Sequence, residues 1–177
     1  MKKIMFNDKY GLTSAVLRRV KTMTRRSSDL YEVGEEVAIA MRYEWMANGG
    51  YLERMLEAPL RFKKEYTGAG WRNKMYVKAE LMPRRVRILR KWQERLQDIS
   101  VEDCMKEGVV KAHIGYYVPG LKANWVKESH VEAEDGQTWK LFPTPQEAFA
   151  ALIDKLSGKG TWESNPLVWV YEFKLID

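Results

Sequence analysis

Five cations and two threonines are packed into the segment Arg18-Arg19-Val20-Lys21-Thr22-Met23-Thr24-Arg25-Arg26. A lysine three positions from a hydroxyl, crowded by further positive charge, has the parts of a Lys–Thr nucleophile. Like charge and desolvation lower a lysine from its free pKa of about 10.4, and the neutral amine can then take the hydroxyl proton as the oxygen attacks an acyl carbon. The spacing carries its own objection. Residues three apart in a flat strand project to opposite faces, so Lys21 and Thr24 cooperate only if the segment turns or bulges. A basic run is also an ordinary solvated face, and that reading stands beside the chemical one.

A second basic group points to nucleic acid. Arg84 to Leu96 reads as a long strand with Val86, Ile88 and Trp92 on one side and Arg85, Arg87 and Lys91 on the other. Arg25, Arg26, Lys74, Arg84, Arg85 and Arg87 are candidates for phosphate or ligand contacts, with Trp71 or Tyr76 available to stack a base. Other motifs carry less. Gly68-Ala69-Gly70 lacks the strand-loop-helix context of a dinucleotide loop and reads as a turn. His113 and His130 have no companion cysteine pair, so neither a metal nor a cofactor is expected. Cys104 lies in a short helix without a local histidine and reads as a small core residue.

The elements that must position these groups follow from periodicity and capping. The 177 residues fit one domain, and 45% apolar content with seven Trp, nine Tyr and five Phe supplies a core. Thirty Lys and Arg against 24 Asp and Glu give +6, a lean toward polyanions. One cysteine and the absence of a long apolar run predict a cytoplasmic chain with no membrane span. Lys3 to Phe6 is a predicted strand, and residues 11 to 20 a helix burying Leu12, Val16 and Val20. Tyr31 to Met46 is read as a strand, Tyr51 to Tyr66 as an inserted helix, and Lys74 to Leu81 as a strand stopped by Pro83. Ser100 caps a helix that Gly108 ends, and Asp135-Gly136 marks a hairpin between Val131 and Trp139. Thr144-Pro145-Gln146-Glu147 is a capping box for a helix with Phe149, Leu152, Ile153 and Leu156 as its buried stripe and Gly158 as its stop. A last strand, Leu167 to Leu175, alternates Trp169, Tyr171 and Phe173 to one face. Strands and helices without regular alternation predict an α+β fold with a small curved sheet or barrel.

Four ordered blocks resemble the ASCH domain family. They are Lys21 to Arg26 after a helix, Met82-Pro83-Arg84, Leu96 to Gly108, and Trp162 to Phe173. The likeness is to the larger phage and prophage members. It implies a PUA-like β-barrel of about five to six strands with peripheral helices, spanning residues 1–177 with insertions at about 47–70 and 109–142. Arg19 and Thr24 depart from the family signature, which has a glycine and an acidic residue there. Lys-x-x-Thr is nevertheless similar to the small enzymes of the family that deacetylate acetylcytidine. Carried over, that resemblance makes Lys21 the proton acceptor, Thr24 the nucleophile and Glu107 the proton donor. The end of a helix is an unfavourable place for a carboxylate charge, which suits a donor at Glu107. Three readings follow: an amidohydrolase of acylated cytidine-type nucleosides, a non-catalytic module binding RNA or a modified base, and a phage-type protein-interaction domain.

Overall fold

The computed structural model describes residues 1–48, 68–124, 128–132 and 136–176. The helix expected over 51–66 lies outside them. The main sheet contains β1 (Lys3–Ile4), β2 (Met23–Arg26), β3 (Glu36–Ile39), β4 (Arg85–Arg95) and, last in the chain, β9 (Leu167–Ile176), in the order β1-β3-β4-β9-β2. The β1–β3 pairing is parallel and the other three are antiparallel. Two short hairpin sheets follow β4: β5 (Val110–Lys111) with β6 (Tyr116–Tyr117), and β7 (His130–Glu132) with β8 (Thr138–Lys140). The helices are α1 (Leu12–Leu17), α2 (Tyr43–Asn48), α3 (Val101–Lys106), α4 (Pro145–Ser157) and α5 (Thr161–Ser164). This is the α+β architecture expected. A closed ring of paired strands is not present among the described residues. From the outer strand β2, Arg26 Nη2 donates to the carbonyl of Met5, the residue after β1, at 2.6 Å.

Local signals that satisfy a backbone group on the spot appear as read. The Thr144 side chain accepts from Glu147 N at the start of α4, with Pro145 at its first position. Ser100 does the same for Asp103 N at the start of α3. The β7–β8 hairpin forms where Asp135-Gly136 placed it. In β9, Tyr171 and Phe173 face one side of the sheet and Val168 and Val170 the other, and all four are buried. Phe6 packs on Phe173 with ring centres 5.6 Å apart, and Tyr31 meets Tyr171 edge-on at 5.2 Å.

Four expectations are corrected by the structure. Helix α1 ends at Leu17 because Arg19 takes a left-handed φ of 62°, which leaves Val20 51% exposed rather than buried. The run from Tyr31 to Met46 is a strand only at Glu36–Ile39, and its end is helix α2. Lys74 to Leu81 forms two single turns of 3-10 helix, Lys74–Tyr76 and Ala79–Leu81. There the Asn73 side chain caps Met75 N, and Lys3 Nζ takes the Val77 carbonyl at 2.8 Å, so local bonds replace a ladder. Leu156, placed in the buried stripe of α4, is 38% exposed.

The fifth correction matters most for function. A β-bulge at Leu89 shifts the register of β4 on β9: Ile88 pairs with Phe173 but Arg90 with Glu172. Beyond the bulge every side chain swaps faces. Trp92 and Glu94 therefore share the Val168–Val170 side of the sheet, and Lys91 moves to the Tyr171 side. No helix among the described residues is long and apolar enough to cross a membrane.

Gly108 joins the fold to the site. It follows α3 with a φ of 107°, and an added Cβ would stand 3.0 Å from Leu12 Cδ2 and 3.8 Å from Lys21 Cδ. Gly108→Ala should destabilise the chain by about 1–3 kcal/mol in urea unfolding. A variant as stable as the parent would show that this turn relaxes freely.

Candidate active site at the β2 edge

The chain reaches the site by turning before it becomes a strand. Val20 N and Lys21 N both donate to the Ala15 carbonyl, at 2.9 and 3.1 Å, and Thr22 N then donates to Lys106 O at 3.0 Å. Strand β2 begins only at Met23. Lys21 is therefore not part of the flat strand that carries Thr24, and the spacing objection is removed. Lys21, Thr24 and Glu107 line one cavity of about 610 Å³, with Arg25, Arg26 and Lys74 also in its wall. Phe149, Leu152, Ile153 and Val168 give it an apolar side.

Lys21 is almost fully buried. Its Nζ meets three acceptors: Glu107 Oε2 at 2.6 Å, Met23 O at 2.7 Å and Glu107 O at 2.8 Å. Three acceptors suit an ammonium, while burial works against its charge. Burial prevails and pulls the Lys21 pKa below its ordinary value; Glu107 opposes the fall, and Arg26 and Arg25 add to it.

Arg25 completes the network. Its Nη1 donates to Glu107 Oε1 at 3.0 Å, its Nε to Glu94 Oε1 at 3.0 Å, and its Nη2 reaches Asp103 Oδ2 at 3.4 Å. Trp92 Nε1 holds the other oxygen of Glu94 at 2.7 Å. Burial opposes the guanidinium charge, but Glu107 and Glu94 together raise its pKa above the ordinary value. Arg25 pairs with Val170, which pairs in turn with Trp92, and Glu94 lies two residues on; the Leu89 bulge is what brings Glu94 to this face.

The remaining groups differ in how far they are committed. None of the hydrogen bonds among the described residues engages the Thr24 hydroxyl, although Thr24 is 5% exposed. Arg26 has no carboxylate partner among those residues, and its Nε is buried without an acceptor. A buried unsatisfied donor costs about 1–3 kcal/mol. Lys74 bonds to Asp8 Oδ1 at 2.7 Å and to the Phe6 carbonyl; burial lowers its pKa, and Asp8 opposes that. Cys104 is buried, and burial pushes its thiol up to about 12, which fits a core residue and not a nucleophile.

The basic strand face lies away from the cavity. Arg85 and Arg87 both pair with Glu36, at 3.8 and 2.5 Å, and Arg90 pairs with Glu172. Lys91 bridges to Asp29 at 2.8 Å and Glu32 at 3.1 Å. Trp71 is half-buried against the core, Arg84 receives Ile39 N on its carbonyl, and Tyr76 is exposed. None of these lines the cavity. Sequence reasoning missed Glu94, Asp103 and the Phe149 wall. An acid standing beside Trp92 in an otherwise basic strand was the one signal for Glu94.

No family model matches the chain, and neither curated proteins nor solved structures provide a match. The residues and their geometry therefore carry the functional reading.

Glu107 neutralises two buried cations. Glu107→Gln should cost about 3–5 kcal/mol in urea unfolding, because Lys21 and Arg25 lose their shared charge. A cost under about 1 kcal/mol would show that Glu107 does not hold them.

Proposed function

We propose that the chain is an ASCH-like amidohydrolase with a PUA-like fold, cleaving the acyl group from an N-acylated, cytidine-type nucleoside. The observation that carries this reading is the convergence of Lys21, Thr24 and Glu107, each buried, in one cavity where no hydrogen bond among the described residues engages the Thr24 hydroxyl. The four blocks of family resemblance support it, as does the lowered pKa of Lys21.

The reaction balances within these three side chains. Passing one proton across the 2.6 Å contact turns the Lys21–Glu107 pair into a neutral amine and a carboxylic acid. Lys21 Nζ takes the proton from Thr24 Oγ1 as that oxygen bonds to the acyl carbon. The carbon–nitrogen bond breaks, and Glu107 protonates the leaving amine. Water then attacks the threonyl ester and gives its proton to the Glu107 carboxylate. Thr24 leaves with a proton from Lys21, which restores amine and acid. Arg25, bonded to Glu107 Oε1, keeps that carboxyl aimed at Lys21.

Two measurements test the proposal. Acetylated cytidine should release acetate and cytidine, and Lys21→Ala or Thr24→Ala should lower the rate about a thousandfold with the melting temperature little changed for Thr24→Ala. No turnover of any acylated nucleoside would sink it. The rate should stay level while the Lys21–Glu107 pair holds one proton and fall as that proton is lost, because Glu107 then has none to give the leaving amine. Because the folded pKa of Lys21 is lowered, the falling limb lies below the free value of about 10.4. By linkage, between those two pKa values the unfolded chain holds more protons at this residue, so its contribution to stability rises with pH there. A rate that keeps rising with pH across this range would contradict the shared proton of the pair.

A further inference from the structure

Among the described residues, every cation in the cavity wall but one is matched by an acid. Lys21 has Glu107, Arg25 has Glu107, Glu94 and Asp103, and Lys74 has Asp8. Among the described residues Arg26 has only a carbonyl, that of Met5, although a guanidinium carries five N–H donors. Its Nε is shut away from solvent with no acceptor, and Nη1 has no partner among the described residues. The Phe6 ring, 5.9 Å from the guanidinium, holds it on one side. A positioned, half-buried guanidinium with spare donors is a receptor for an oxyanion.

We propose that Arg26 anchors a phosphate monoester, so that the ligand of this cavity is a nucleotide and not a neutral nucleoside. This rests on reading the cavity as the acyl-hydrolase site, but not on turnover. Thr24 and Arg26 alternate on one face of β2, about 7 Å apart along the strand. Exposed Ser27 and Asn7, also in the cavity wall, supply further polar groups. A ligand held this way has its phosphate at the rim, its acylated base amine over Thr24, and its ring against Phe149 and Leu152. The cavity, at about 610 Å³, falls in the range that encloses such molecules. The committed arginine, Arg25, is excluded as the anchor because its donors are turned to three carboxylates.

Calorimetric titration of cytidine 5′-monophosphate and of cytidine into the full chain, at low salt, tests this. The monophosphate should bind about tenfold more tightly, Arg26→Gln should abolish that difference while cytidine binding is kept, and Arg26→Lys should retain part of it. Equal affinities in the parent protein, or a preference that survives in Arg26→Gln, would overturn the proposal. If Arg26→Gln does not fold, competition by inorganic phosphate in the parent decides: displacement of the monophosphate supports the anchor, and none overturns it. The two proposals separate cleanly. An Arg26-dependent phosphate preference without turnover removes only the hydrolase, and turnover without the preference removes only the anchor.

Discussion

The buried charge network around Glu107 is the constraint on which the rest of the structure depends. Taking an ammonium and a guanidinium out of water is tolerated only where carboxylates replace the lost hydration. Here the cations come from the turn after α1 and from β2, and the acids from β4 and α3. No one of these elements can shift without leaving a charge unpaired in a low-dielectric interior. The network therefore aligns the β2 edge, the end of α3 and the far half of β4 more tightly than apolar packing alone, which tolerates repacking.

That alignment requires the bulge at Leu89. Strict alternation along β4 would put Glu94 with Val86 and Ile88, on the side opposite Arg25. One extra residue reverses the faces and brings Trp92 and Glu94 beneath the cavity. The same reversal carries Lys91 to the Tyr171 side, where it stands 4.9 Å from the Trp169 ring and bonds to Asp29. The basic face read from the sequence is thus divided, and what remains of it at Arg85 and Arg87 is matched by Glu36. In the cavity wall, Arg26 is the cation with no acid partner among the described residues.

Burial gives the site its chemical character. Desolvation lowers Lys21 toward the neutral form that a base requires, while contact with Glu107 keeps a proton within 2.6 Å. An apolar wall from α4 strengthens each of these interactions by excluding water. Among the described residues of the cavity wall, the Thr24 hydroxyl has no hydrogen-bond partner and Arg26 no counter-charge. Polar groups left without a partner in a buried wall are where a ligand gains most.

How much was legible beforehand depended on distance along the chain. The caps of α3 and α4, the β7–β8 hairpin and the alternation of β9 rest on bonds or periodicities within a few residues, and each stood in the sequence as it stands in the fold. Types of side chain were legible too: Lys21, Thr24, Arg25 and Arg26 form one basic, hydroxyl-bearing segment whatever the fold. Val20, Trp92 and the Lys74–Leu81 turns were misread because a left-handed Arg19, a bulge and a reaching Lys3 decide them. Which charges are buried and paired was settled only by tertiary structure. Lys21 and Glu107 are 86 residues apart and Arg25 and Glu94 are 69, and a pKa or a counter-ion is a property of neighbours in space.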